Sequence, residues 1–377
     1  MELAWHENED IVRGVLGKLQ SNRELLNCDL ELFISSSDST SSTSSTSSST
    51  ADSGSDSDDS HTAANSLANG SSNCKLFKQL KGLQELPQEI GLLKQLQRLE
   101  LQGAAGSPGA AAAPPAAHPA RLQRLALPAD TIGDLQSLTQ LQLVGCHSLN
   151  ELPATLVLLQ ALRSMEIEGA NSLQVLPEGM GSLSSLTQLS LSYCHHLQEL
   201  PDCLGTLQHL RVLDIGCHGL VDHLPPTIGN LPQLQRLTVD CASLTDLPAS
   251  ISRLTTLTRL TISHCLGLQQ LPEGLGNLQQ LRVLVIDTLP HVDSLPHNIG
   301  LVESLEELHL LNDSEYDGLP QLPQQMERLT KLTKLRIGTV PGIEHELPSI
   351  PGSIGVLAGL RELQMGTCAW WLRKTRR

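Results

Sequence analysis

Apolar and polar positions alternate in this chain with two interlocked periods. From residue 83 onward the order is L-x-x-L-P-x-x-I-G-x-L-x-x-L-x-x-L-x-L-x-x-C-x-x-L. Its x-L-x-L-x centre has period two, the pattern of a half-buried strand. The Leu-Pro and Ile-Gly-x-Leu positions carry residues that a strand rejects and a turn or 3₁₀ stretch accepts. L-x-x-L-x-L segments begin at Leu96, Leu122, Leu138, Leu162, Leu186, Leu210, Leu234, Leu257, Leu281, Leu305, Leu332 and Leu360. Between Leu138 and Leu305 the steps are 24, 24, 24, 24, 23, 24 and 24 residues. A unit this short cannot bury its own apolar face, so copies must stack. The expectation is an α/β solenoid of about 11 repeats, bent into a horseshoe with its parallel sheet on the concave face.

The rhythm starts late and breaks three times. Residues 1–34 read as a short strand and helix, with Ile11, Val12, Val15, Leu16 and Leu19 three or four apart over a helical stretch of 9–34. Residues 35–73 read as a disordered Ser/Thr/Asp-rich linker. Its 35–60 stretch holds 15 Ser, four Thr and five Asp, with no aromatic or branched aliphatic side chain to bury. Ser49, Ser53 and Ser55 each precede an Asp by three residues, a spacing that suits an acid-directed kinase. The solenoid is assigned to 74–368. Within it an Ala/Pro-rich insertion at 103–120 loops out and leaves the following Leu122 repeat short, and longer steps near the end place extra loops at about 312–318 and 338–347. Residues 369–377 form a basic tail whose Trp370 and Trp371 cap the last repeat.

Composition fits a repeat array better than ordinary globular domains. Leu supplies 76 of 377 residues, against seven aromatic rings, too few for cores of the usual kind. The formal net charge of −15 disfavours nucleic acid as a partner. Nine Cys are too sparse for a disulfide scaffold, and an odd number leaves one unpaired. There is no basic leader at the N-terminus and no uncharged apolar run near the roughly 18 residues of a membrane span. These features place the protein in the cytoplasm, with the nucleus open through the basic tail, and without a membrane span.

The repeat with Cys146, Cys194 or Cys265 at its ninth position is the leucine-rich-repeat signature. Its register, as in Leu200-Pro-Asp-Cys-Leu-Gly-Thr-Leu-Gln-His-Leu210, resembles the repeat domain of plant intracellular nucleotide-binding leucine-rich-repeat disease-resistance proteins. Leu3-Ala-Trp5 and the acidic stretch after it resemble the start of that domain. The resemblance implies immune sensing, with a nucleotide-binding switch domain on another chain as a candidate partner, because no G-x-x-x-x-G-K-[ST] phosphate loop occurs here. The register also resembles Ras-group leucine-rich-repeat signalling scaffolds, the alternative reading.

No catalytic constellation is evident. Cys146-His147, Cys194-His195-His196, Cys217-His218 and His264-Cys265 suggest metal chemistry only superficially, since no tight C-x-x-C or H-x-x-x-H pair anchors a site. Neither enzyme activity nor a cofactor or metal is expected. The chemistry left is recognition of a protein or peptide ligand by outward strand positions on the concave face. The candidates are Glu166, Glu168, Asp214, Arg236, Asp240, Arg259, Asp287, Glu307, His309, Lys334 and Arg336, with Tyr193 on the rim as an aromatic anchor.

Overall fold

The structure, a computed structural model, describes residues 29–35, 73–79, 86, 88–102, 127–217, 219–312, 319–323, 326–339, 354–355 and 357–367. Thirteen strands form one sheet: β1 (Asp29–Ser35), β2 (Asn73–Gln79), β3 (Leu96–Gln102), β4 (Gln140–Val144), β5 (Ser164–Glu168), β6 (Gln188–Ser192), β7 (Val212–Gly216), β8 (Arg236–Asp240), β9 (Arg259–Ser263), β10 (Val283–Asp287), β11 (Glu307–Asn312), β12 (Lys334–Thr339) and β13 (Glu362–Thr367). From β3 to β13 the spatial order follows the chain, each strand pairing in parallel with the next.

Each strand from β3 to β11 is preceded, on the far side of its coil, by a 3₁₀ turn, as at Ala154–Leu158, Asp202–Thr206 and Ala249–Arg253. The turn starts where the Leu-Pro motif places proline. Pro153, Pro201 and Pro248 hold φ between −55° and −70° and release the chain into the 3₁₀ stretch. The helical part of the expected α/β class is therefore 3₁₀, and no α-helix occurs among the described residues. None of their helices is long and apolar enough to cross a membrane.

Between sheet and 3₁₀ side lies one continuous core. Leu162, Leu186, Leu210, Leu234, Leu257 and Leu281, one from each successive coil, have no exposed surface. The thiols just past the strand ends sit inside it and donate to strand carbonyls: Cys241 to Ile215 O at 3.8 Å, and the ninth-position Cys265 to Ser263 O at 3.3 Å. A small thiol fits where an apolar residue must also meet a turn carbonyl.

The residue ahead of that position reverses the chain in left-handed backbone. Gly145 and Gly169 do so at φ +66° and +68°, but so do Tyr193, His264 and Thr288 at +54°, +49° and +50°. The turn is stabilised because each N–H reaches a carbonyl of the next strand, Tyr193 to Gly216 O at 2.7 Å and Thr288 to Leu311 O at 2.9 Å. For β-branched Thr288 this conformation is strained.

Two expectations change. The Leu122 segment does not contribute a strand between its neighbours, because β3 pairs directly with β4, Leu99 facing Leu141. Sixteen residues from Leu122 to Leu138 are too few to circle a coil that elsewhere needs at least 23; Leu127, buried at 6 %, instead begins the Leu-Pro position of the β4 repeat. Second, the helical stretch expected over 9–34 ends in a strand. β1 enters the sheet between β3 and β2, pairing Leu32 with both Leu99 and Leu76, so the sheet does not begin at residue 74. Residues 1–28, 36–72, the 103–120 insertion, the loops at 313–318 and 340–353 and the tail at 368–377 lie outside the described residues.

Neighbouring coils approach closely at the Gly of the Ile-Gly position. A Cβ on Gly205 falls 2.2 Å from Thr227 O, whereas one on Gly216 comes no nearer than 3.4 Å to any neighbour. Gly205→Ala should lower the thermal midpoint by several degrees in differential scanning calorimetry, and Gly216→Ala should leave it nearly unchanged.

Candidate functional site

Because side chains alternate along each strand, three residues per repeat face the concavity, and the parallel register lines them up in columns. One column reads Arg98, Gln140, Ser164, Gln188, Val212, Arg236, Arg259, Val283, Glu307, Lys334 and Glu362. The second includes Glu166, Asp214, Thr238, Thr261, His309 and Arg336, and the third Glu168, Asp240 and Asp287. All the strand candidates therefore lie on one surface.

At its N-terminal end the surface is tied by hydrogen bonds across strands. Arg98 donates to Gln142 at 3.0 Å and, more weakly, to Glu100 at 3.4 Å, and Gln142 passes a 2.8 Å bond on to Glu166. At the C-terminal end the charges interlock. Arg336 binds Glu362 through both Nε and a terminal nitrogen, at 3.1 and 2.8 Å, and holds that carboxyl below the usual range. Lys334 lies 3.7 Å from Glu307 and 3.5 Å from Glu362. Exposed pairs like these add little stability singly, but as a network they fix the orientation of four side chains.

His309 lies inside that network, in contact at 3.1 Å with Glu307 and only 3 % exposed. Val285 and Leu311, also on outward positions, are buried as well. Burial, with Arg336 and Lys334 close by, holds the imidazole below its ordinary pKa of 6.5 against the opposing pull of Glu307. Nothing in the residue pattern signals this burial, since outward positions of a solenoid are ordinarily wet.

The middle differs from both ends. Arg236 and Arg259 face each other in register, and neither has an ion pair or hydrogen-bond acceptor for its guanidinium among the described residues. Asp240, two columns away, is engaged by His264 at 3.3 Å. Asp214 and Asp287 stand diagonally to the pair; Asp287 accepts from Thr288 Oγ1 at 3.1 Å. Tyr193, the residue after β6, is 49 % exposed on the rim and has left-handed backbone.

The Cys–His neighbours part company. Cys146, Cys194 and Cys265 are buried; beside Cys194, His195 and His196 are exposed, so there the thiol and the imidazoles do not share a site, while His147 and His264 are half-buried. Cys217 is hydrogen-bonded to Cys194, and that hydrogen bond together with burial holds its thiol well above the usual range; burial, with the Asp240 carboxylate adding to it, pushes Cys241 up to about 12. Protonated, enclosed thiols are poor nucleophiles and poor metal ligands. A second concavity lies on the 3₁₀ side, with Val157, Val175, Pro177 and Pro201 among its lining and Glu151, Glu178 and Glu199 around it.

A family model described as a leucine-rich repeat region matches residues 121–220 and 191–313. No curated protein matches the chain significantly. Among solved structures, a leucine-rich-repeat protein of Leptospira interrogans is 24 % identical over 80 % of each chain, with a TM-score of 0.47. The leucine-rich-repeat domain of the type III effector XopL is 24 % identical over 56 % of this chain and 74 % of its own, at 0.40. TLR13, solved in complex with ssRNA13, is 18 % identical over 78 % of this chain and 44 % of its own, at 0.51. At these identities the likeness concerns the fold.

The His309 shift fixes a direction for pH dependence. A histidine whose folded pKa is depressed is favoured in its neutral form, so its contribution is complete above about 6.5 and is lost as pH falls below that value toward the folded pKa. The urea midpoint should therefore fall between pH 7 and pH 5, and His309→Gln should flatten the profile in that window. Native iodoacetamide labelling followed by peptide mapping should likewise leave Cys217, Cys241 and Cys265 unmodified until the protein is unfolded.

Proposed function

This chain belongs to the leucine-rich-repeat family, and from that premise we propose that it is a non-catalytic recognition protein that holds a protein or peptide partner on its concave face. One observation carries the reading. The inward strand positions are uniformly Leu, Ile, Val or Met, whereas the outward ones change in charge and size from strand to strand while staying in register. Packing demands the uniform set and leaves the outward set free for recognition, and a charge mosaic of this kind suits a macromolecular partner better than a small apolar ligand.

The Leu-Pro-x-x-Ile-Gly register supports a sensor role in plant defence signalling, in the cytoplasm, of the kind that the repeat domain plays in nucleotide-binding resistance proteins. In that role the partners are a protein or peptide ligand and a nucleotide-binding switch domain on another chain. Catalysis is not part of the proposal: the buried ninth-position cysteines serve the core.

The test is affinity capture from native extract with the full chain, followed by mass spectrometry. Ser190→Trp and Thr261→Trp, which place bulk at the centre of the concave face, should abolish capture of the specific partner. Leu158→Trp, at a position 52 % exposed on the 3₁₀ side, should leave it intact. Equal loss with all three, or with none, would count against the concave face. A small GTPase or kinase as the captured protein would favour the Ras-group scaffold over the immune sensor.

A further inference from the structure

We propose that Arg236, Arg259, Thr238 and Thr261 form a carboxylate-binding tile, which takes the acidic side chain of an extended partner peptide whose cationic end lies over Glu168 and Asp214. The inference rests on the concave-face reading above and names the chemistry of its ligand.

The four residues make a two-by-two block on adjacent strands, Arg236 opposite Arg259 and Thr238 opposite Thr261. Like charges directly across a ladder are unfavourable, and here the strands are only about 4.8 Å apart. Elsewhere on strands β3 to β13 the fold answers each Lys or Arg with an acceptor: Arg98 has Gln142 and Glu100, Lys334 has Glu307 and Glu362, and Arg336 has Glu362. Arg236 and Arg259 have none. The hydroxyls of Thr238 and Thr261 also make no hydrogen bond among the described residues, so the block presents two guanidiniums and two hydroxyls with no protein acceptor between them. Val212 and Val283 close it at either side in the arginine column. Such a surface can be satisfied by an oxyanion, and guanidinium forks match the two oxygens of a carboxylate.

The surroundings select among anions. Asp214 adjoins Thr238 in the threonine column, and Asp240 and Asp287 stand in the next column, so a doubly charged group seated on the tile is repelled. A monoanionic carboxylate is accommodated better than a phosphate dianion, and a nucleic-acid backbone is disfavoured. Glu168 on β5 and Asp214 on β7 carry carboxylates with no ion pair or hydrogen bond among the described residues, so the acceptor-only part of the face lies on the N-terminal side of the donor-only part. From β5 to β9 is four strand spacings, about 19 Å, which an extended peptide crosses in about six residues. The ligand is therefore a segment with a Lys or Arg and an Asp or Glu separated by up to about six residues, laid across the strands.

The probe is the fluorescein-labelled, C-terminally amidated peptide Lys-Lys-Gly-Ser-Gly-Asp-Asp, titrated by fluorescence anisotropy into the full chain at low ionic strength. Saturable binding should weaken at least tenfold in the charge-neutral variant Arg236→Gln/Arg259→Gln, with circular dichroism unchanged, and severalfold in Thr238→Val/Thr261→Val. Replacing both Asp of the probe by Asn should have the same effect as the double arginine variant, and the two changes together should add little further. Absence of binding, or equal binding by the Asn probe or by the arginine variant, overturns the tile. Tenfold tighter binding of a phosphoserine version makes it a phosphate site and overturns the carboxylate assignment. A chain lacking residues 36–72 that binds the probe ten times more tightly puts the chain's own acidic tract on the tile and overturns the partner assignment. If Arg236→Gln/Arg259→Gln still captures the extract partner that Ser190→Trp and Thr261→Trp lose, the concave-face reading stands and the tile alone fails.

Discussion

The structure depends on one constraint: a coil of about 24 residues cannot bury its own apolar stripe and must close it against the coils on either side. The leucine columns satisfy this requirement, and the parallel backbone ladder sets the spacing at which they meet. Other features follow from that contact. Glycine at the Ile-Gly position lets the 3₁₀ turns approach backbone to backbone, thiols rather than larger groups fill the space under the strand ends, and Tyr193, His264 and Thr288 tolerate left-handed backbone because the N–H at that position bonds to the next strand. Part of the local conformational cost is thus offset one coil away.

The same constraint organises the recognition surface. Register that aligns leucines on the inside necessarily aligns side chains on the outside, so charge accumulates in columns rather than scattering. At both ends of the described concave face the fold neutralises its charges, through Arg98, Gln142 and Glu166 at one and Glu307, Lys334, Arg336 and Glu362 at the other. In the middle it leaves Arg236 and Arg259 side by side. A ladder that tolerates like charges in register has a stability cost, and such sites are where function is to be sought.

Much of this was legible in the sequence, though unevenly. The 24-residue step identified the strands from β4 to β11, because each is specified by its own apolar positions and needs no information from elsewhere. It also placed Arg236 and Arg259 in one column. It failed at Leu122, where a good local motif has too little chain after it to circle a coil, and at residues 29–34, where a strand joins the sheet beyond β3 although a helical period had been read there. Both failures concern which segments become neighbours, a question that local patterning does not reach. The burial of His309 is similar: nothing in Glu307-Leu-His309 distinguishes it from a wet outward position.

The sequence by itself thus determined the repeat, its strands, the inward and outward faces and the absence of a recognisable catalytic motif, since these follow from residue type and spacing within a single coil. Only the tertiary structure decided which charges are answered and which are not, which histidine is enclosed, and where the first strands pair. Those properties belong to contacts between residues some 24 or more positions apart, and their energies depend on the distance and burial that stacking creates.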